Sequence, residues 1–421
     1  MSEPPNNPVK NYFEKIQRTD TVLGRTIKIL AEADDIKGAF RFNLFTYDIE
    51  HAKYNSCFSP ISHKGEIVSD NDAVCLITYL TKAANFSPST DTINKAILEV
   101  SMSNTYHPIK DYLESLKWDG VPRLSTWLNK ICEIEQNEYT AVIGRKLFLS
   151  LVARIYEPGI QYDQLIIFEG RQGIFKSRLV RAIGGNYYAP IELNVHDRKS
   201  LVDTMRGKWV LEVEELAGFS KQDRDKMKAF LSCPSDRVRL SYARQSIDFK
   251  RQCVFIGTLN PDGDNRYLND DENRRFWPLN IPDGVKIKIE AFKEMRNQLF
   301  AEAVVLYRSG EPLWLEGDSE IKIAFEEQEA RRSIDPWESI VEGWLLEKFN
   351  TGLLKEVSIN DVLNECLKIS SERINSGLSR RVGRIFSKMK WVRYRRALLP
   401  RMWCYRPPTE QDKVINDDWA E

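Results

Sequence analysis

Phe168-Glu169-Gly170-Arg171-Gln172-Gly173-Ile174-Phe175-Lys176-Ser177 is the stretch on which the fold turns. It follows a short apolar run at 165–168, of strand length, and leads into 176–183, which has helical periodicity. A strand, a glycine loop and a helix in that order can cradle a phosphate. The glycines let backbone N–H groups wrap a β-phosphate, a lysine meets the β/γ oxygens, and a Ser or Thr hydroxyl ligates magnesium. Gly170, Gly173, Lys176 and Ser177 stand at those offsets, with Gln172, Ile174, Phe175 and Arg178 completing the expected nucleotide contacts. The helix N-terminus adds partial positive charge. One position departs from the pattern: Phe175 stands where a glycine normally precedes the lysine. An aromatic there is expected to be barred from glycine conformations and to crowd the nucleotide. An ordinary strand, turn and helix with a surface lysine is the plainer alternative.

Downstream of the loop the chain has the spacing that an ATPase needs. Lys208-Trp209-Val210-Leu211-Glu212-Val213-Glu214-Glu215 reads as a strand ending in carboxylates, able to hold magnesium and polarise an attacking water. Alternation puts Glu212 and Glu214 on one face and Val213 and Glu215 on the other, so either Glu215, the preferred one, or Glu212 is the working acid. Gly257-Thr258-Leu259-Asn260 ends the next strand with an amide suited to orienting water against a γ-phosphate. Asn273-Arg274-Arg275-Phe276-Trp277-Pro278 then places two arginines before another apolar run. Arginine stabilises transition-state charge on a γ-phosphoryl group, in ring ATPases usually from the neighbouring subunit, and a paired surface arginine is the bland reading. The set predicts ATP and Mg2+ as cofactors. Ser177, Glu212 and Glu215 would hold the metal, and Lys176, Glu215, Glu212, Asn260, Arg274 and Arg275 would carry catalysis.

The whole chain fits this picture. At 421 residues it is too long for one ordinary core, and 29% charged with 42% hydrophobic residues reads as globular. No run approaches the roughly 18 apolar residues of a membrane span, and Pro4, Pro5, Asn6, Asn7 and Pro8 open the chain without an apolar signal core, which predicts a cytosolic protein, in a bacterial host. Seven Cys and four His are scattered without CxxC spacing, so neither a disulfide framework nor a zinc site is expected. The 61 basic and 61 acidic residues cancel, yet 373–406 holds eleven Lys or Arg and no acid. That asymmetry predicts a local surface for a polyanion.

Short strands at 165–168, 209–213 and 253–258, separated by helical stretches, predict an α/β fold with a parallel sheet between helices. Residues 1–95 read as a small mixed α/β domain, 96–160 as a helical lead-in, 161–315 as the ATPase core and 316–355 as a helical linker broken at Asp335-Pro336. Two helices and a basic hairpin over 356–410 predict a winged helix-turn-helix, and 411–421 is an acidic tail. Arg380, Arg381 and Arg384 lie near helical spacing on the second of these helices, with Arg393, Arg395 and Arg396 on the wing, as for duplex DNA. A second basic and aromatic region, 226–228 with 236–251, reads as a hairpin suited to gripping a single strand. Asp48-Ile49-Glu50 has the paired acids of a primase metal site but no partner to complete one, so solvated surface acids are expected.

With these motifs in place the chain resembles the virulence-associated protein E family, helicase-like ATPases of phages, prophages and mobile islands related to superfamily 3 helicases. The resemblance spans about residues 100 to 305. It rests on Asn104-Thr-Tyr106-His107-Pro108, Trp118-Asp119-Gly120-Val-Pro122-Arg123, the loop at 169–177 and Gly207-Lys208-Trp209 with Glu212 and Glu215. Asp236-Arg237-Val238-Arg239 with Tyr242, Thr258-Leu-Asn260 and Arg274-Arg275-Phe276-Trp277 complete it. The resemblance implies an AAA+-type P-loop fold, a homo-hexameric ring, ATP hydrolysis with magnesium and DNA unwinding. It makes Asn260 a sensor and Arg274 or Arg275 the trans arginine. Arg237, Arg239, Tyr242 and Arg244 become pore residues, pairing of Arg237 and Arg239 with carboxylates being the alternative. The expected function is an ATP-dependent DNA helicase of a phage or mobile element. The rivals are a replication initiator that uses nucleotide only for assembly, and a regulatory ATPase acting on a protein.

Overall fold

Leu165–Glu169 (β4) is buried at every residue, and its neighbours explain why. In the computed structural model β4 is an inner strand of a five-stranded sheet with Tyr188–Ile191 (β5), Val210–Val213 (β6), Val254–Leu259 (β9) and Phe276–Asn280 (β10). The order is β10-β4-β9-β6-β5, and all four neighbouring pairs are parallel. Alternate residues of one apolar run feed two different cores. Ile166 and Phe168 join Val210, Ile256 and Trp277 against helices Glu138–Tyr156, Lys176–Gly184 and Ile289–Arg308. Leu165 and Ile167 join Leu211, Val213 and Phe255 on the other face, where helices Arg198–Met205 and Lys221–Leu231 lie. A sheet covered on both faces needs apolar residues at nearly every position, which is why β4 and most of β9 read as hydrophobic runs. Pro190 sits in β5, which is an edge strand, where a missing N–H costs no ladder bond.

The structure describes residues 21–53, 63–191, 198–214, 221–238, 247–260, 267–268, 273–332, 335–351, 356–396 and 402–409. They fall into two compact units, Met1–Arg331 and Arg332–Glu421. The segment read as a helical linker is divided by this boundary: helix Asp318–Ala330 packs on β10 and on helix Glu138–Tyr156, whereas Pro336–Asn350 belongs to the second unit. No helix among the described residues is long and apolar enough to cross a membrane.

In the first unit, Phe40–Asn43 (β1) pairs antiparallel with Asp48–His51 (β2) and parallel with Thr105–Tyr106 (β3), over a small core built by helices Val22–Glu32, Asp70–Ala84 and Thr90–Met102. The expectation of solvated acids at 48–50 fails here. Glu50 is buried and accepts from Asn43 Nδ2 at 2.7 Å, Arg41 at 2.8 Å and the Tyr106 hydroxyl, while Asp48 pairs with Arg206. A hairpin that buries its carboxylate must supply counter-charge, and Arg41, Glu50's cross-strand partner, does so.

Two of the motifs shared with the family turn out to be joints. His107 caps helix Pro108–Ser115, accepting from Lys110 N at Nδ1, so its Nε2 carries the proton and donates to Gln252 Oε1 at 2.7 Å, just ahead of β9. Burial holds this imidazole below the ordinary histidine range. Asp119 and Arg123 form a two-pronged ion pair at 2.7 Å, and the Arg123 and Leu124 N–H groups donate to Glu302 on the long helix. The Trp118–Arg123 turn therefore fixes the helical lead-in to the sheet's covering layer.

In the second unit, helix Pro336–Asn350 precedes Val357, a helical stretch over 359–366, helix Ser376–Lys388, and the hairpin Val392–Arg395 (β11) with Trp403–Arg406 (β12). Val357 bridges to Tyr405, adding a third strand position beside the hairpin. Val341, Leu345, Val382, Ile385 and Phe386 form its core, with Phe386 stacked on Tyr405 at 4.2 Å.

Candidate nucleotide-binding site

At the carboxyl end of β4 the chain turns through Gly170 at φ 149° and Gly173 at φ 85°. At this positive φ a side chain is strained, and a Cβ on Gly170 would also come within 2.6 Å of the tip of Ile174 and 3.3 Å of the Ile281 carbonyl. Gly173 faces open space. The loop is tied at both sides: Gly170 N donates to Leu259 O of β9, and Ile281 N, just past β10, donates to Glu169 O at 2.9 Å.

Phe175 corrects the sequence reading. It takes φ 78°, ψ 27°, the left-handed conformation expected to be closed to it. That backbone costs a non-glycine residue about 1–2 kcal/mol. The ring recovers part of it by packing on the core and by lying under Arg178, whose guanidinium is 4.4 Å from the ring centre. Phe175 is also the N-cap of helix Lys176–Gly184 and offers no side-chain acceptor, so the first-turn N–H groups receive no side-chain cap there.

Lys176 is buried, and its ammonium donates to Gly170 O at 2.6 Å, Arg171 O at 2.9 Å and Asn260 Oδ1 at 2.8 Å. Register explains the last contact: Glu169 pairs with Leu259 across β4 and β9, so Asn260 stands level with Gly170. Burial lowers the Lys176 pKa, and the Glu212 charge opposes that shift. Glu212 lies within β6, fully buried, on the face of the loop's helix as its alternation with Val213 requires. One carboxylate oxygen accepts from Thr258 at 2.7 Å and the other from the Tyr188 hydroxyl, whose own pKa is driven up by burial and by this bond. Sequence reasoning named the acid but not these two holders.

Another buried pair was not foreseen. Glu169, at the end of β4, accepts from Arg331 Nε at 2.9 Å and from the Tyr267 hydroxyl, and Arg331 also pairs with Glu327. Burial pushes the Glu169 carboxyl above the ordinary range, with Arg331 pulling the other way. The 162 positions separating the partners hid the pair, and Arg331 follows a charged helix that marks it as a surface residue.

Gln172, Gly173, Ser177 and Arg178 are exposed around the loop, and Ile174 is buried beneath it. Arg274 and Arg275 are elsewhere. They precede β10 at its amino end, whereas the glycine loop leaves β4 at its carboxyl end, and the two strands run parallel. The sheet's five-residue strands, at about 3.3 Å per residue, separate them from their own chain's loop. Arg275 is tied to Asp163 at 2.6 Å, and Arg274 is exposed. Glu215 lies outside the described residues, as do Arg239, Tyr242 and Arg244.

The hairpin expected at 236–251 exists as Ser235–Val238 (β7) and Ile247–Lys250 (β8), with Arg237 exposed opposite Asp248. Arg251 does not belong to a basic grip. It is wholly buried, donating to Asp236 at 2.6 Å and to Phe230 O at 2.5 Å. In the second unit Arg380, Arg384, Arg393 and Arg395 are exposed; Arg381 is clamped on Asp335 at 2.6 Å and Arg396 pairs with Glu356.

The residues fit a nucleotide's phosphates and a hard divalent cation. Gly170 is sterically reserved, a lysine sits at the mouth of the loop, and Ser177 and Glu212 offer only oxygen, the donor preferred by magnesium. Residues 113–333 match the model of the virulence-associated protein E-like domain. No curated protein matches the chain. Among solved structures, "The apo structure of NrS-1 C terminal region (305-718)" is similar at 11% identity and a TM-score of 0.48, over 88% of this chain and 96% of that one. Its A form gives 12% and 0.45 over the same shares.

Proposed function

This chain belongs to the virulence-associated protein E-like domain family, and from that premise we propose that it is an ATP-dependent DNA helicase acting in replication of a phage or mobile element. The observation that carries the reading is the meeting of Lys176 with Asn260 beside the buried Glu212, at the carboxyl ends of three adjacent strands. Ligands of open parallel sheets bind at that edge. Bound Mg·ATP would supply the γ-phosphoryl group for attack by water. Lys176 and the loop amides would hold its phosphates, Ser177, Glu212 and Glu215 its metal, and Asn260 the water's orientation.

The same reading takes the core as AAA+-type and the second unit as a winged helix: helix, strand position, two helices and a two-stranded wing succeed one another along the chain. Because Arg274 and Arg275 lie at the opposite end of the strands from their own loop, either could serve a γ-phosphate only in another copy's site, which favours a ring. Arg275 is engaged with Asp163, so Arg274 is the better candidate. Arg237 and its hairpin would face the threaded strand.

DNA-stimulated ATP turnover and unwinding of a forked substrate, both lost in Lys176→Ala, test the proposal. Nucleotide binding without turnover in the wild type would instead make the protein an initiator that uses ATP for assembly. Turnover without unwinding would leave a regulatory ATPase.

A further inference from the structure

We propose that the face of the wing carrying Arg393, Arg395 and Trp403 is a stacking platform for single-stranded nucleic acid, a site that rests on the helicase reading and gives it a second contact with DNA. Trp403 is 51% exposed, although its neighbours Cys404 and Tyr405 are buried. The other described tryptophans of this unit are sheltered: Trp337 lies under Arg381 at 3.8 Å, Trp391 packs on Phe349 and Phe386, and Trp344 is half-buried. Single exposed apolar residues are common on protein surfaces; what sets Trp403 apart is the pair of arginines beside it.

Its surroundings identify the chemistry. The Arg393 guanidinium lies 4.2 Å from the indole centre, covering one face and fixing the ring. Arg395 is Trp403's cross-strand partner. Among the described residues neither arginine has a carboxylate partner, in contrast to Arg381 and Arg396. The stretch 373–406 supplies no acid to neutralise them. One open aromatic face between two cations matches a base and its flanking phosphates. Duplex bases are already stacked on one another and present no face to such a ring except at an end, so the occupant is a single strand.

The test uses the full chain and fluorescence anisotropy with labelled oligo-dT of about 20 nucleotides, long enough for one such site, and with a duplex of the same length, across a salt series. Trp403→Ala should weaken oligo-dT binding about tenfold with an unchanged salt slope, and Trp403→Phe by less than about threefold, since stacking is sequence-tolerant and needs only a flat ring. Arg393→Ala with Arg395→Ala should flatten the slope by about 1.4, at about 0.7 per phosphate contact on a single strand. Unchanged oligo-dT affinity in Trp403→Ala overturns the platform, as does an equal loss on duplex. If the wild type binds no oligo-dT, both this inference and the DNA reading fall. If it binds and Trp403→Ala binds equally well, the platform alone falls. Trp403 is exposed, and a melting curve matching the wild type's shows that the variant folds.

Discussion

Lys176 and Asn260, 84 positions apart, are joined by a 2.8 Å hydrogen bond at the end of the sheet. The bond exists because β9 lies between β4 and β6, which brings the tip of the third strand of the motif beside the loop of the first. Lys176→Ala should lower ATP turnover by at least about 100-fold, and Asn260→Ala by about 10- to 100-fold, the range for removing a group that stabilises transition-state charge. Steady-state phosphate release measures both. Because Asn260 is exposed, Asn260→Ala should melt within a few degrees of the wild type.

Phe175 already follows a glycine path, so nucleotide binding does not require a glycine there. Phe175→Gly should bind ATP with magnesium within about threefold of the wild type by calorimetry. Phe175→Ala keeps the left-handed backbone and loses the ring, and should melt below Phe175→Gly by the equivalent of about 1 kcal/mol.

His107 gives a pH signature. Its folded pKa is depressed, so the folded state binds fewer protons than the unfolded chain; the stability it contributes is present above the unfolded value near 6.5 and is lost as pH falls through the folded one. His107→Asn can still cap the helix but does not titrate. The wild type should melt higher at about pH 7.5, by about 1 kcal/mol for the lost bond to Gln252, and the gap should narrow toward about pH 5.5.

Arg251 and Arg237 stand close in sequence and should behave oppositely. Arg251→Ala removes the guanidinium paired with the buried Asp236 and should cost about 3–5 kcal/mol, seen as a large fall in melting temperature. Arg237→Ala should leave the melting temperature unchanged and reduce the salt dependence of single-strand binding.

Glu302 accepts two backbone N–H bonds from the Trp118–Arg123 turn and its successor. Glu302→Ala orphans both donors and should destabilise by about 2–3 kcal/mol, whereas Glu302→Gln, which keeps an acceptor, should cost about half as much. Chemical denaturation distinguishes them.

Most of this architecture could be read from the residues because it obeys local rules. The runs at 165–168 and 253–258 are apolar at nearly every position, as strands covered on both faces must be, and Gly170 and Gly173 mark the loop between them and the helix. The C-terminal hairpin and the helix before it were equally visible through alternation and helical spacing. β5 escaped notice because Pro190 interrupts it, and a strand tolerates proline only at an edge. Within the candidate site, Lys176, Glu212 and Asn260 stood out by residue type and spacing, but the residues that hold them did not. Tyr188 and Thr258 look like any strand residues until the register puts them beside Glu212, and Arg251 reads as surface charge until Asp236 closes on it. Phe175 misled because side-chain identity limits backbone angles only by a cost, and packing of its ring helps to meet it.

The ion pair between Glu169 and Arg331 sets where the first unit can be cut. The last strand of the sheet ends at Asn280 and the long helix at Arg308, yet a chain stopped at either point would leave a carboxylate sealed under the glycine loop without the Arg331 guanidinium. The family-matched segment runs to 333, two residues past that arginine. A cut just before residue 331 should therefore destabilise the first unit by about 3–5 kcal/mol through this one buried charge, although it removes none of that unit's strands or helices.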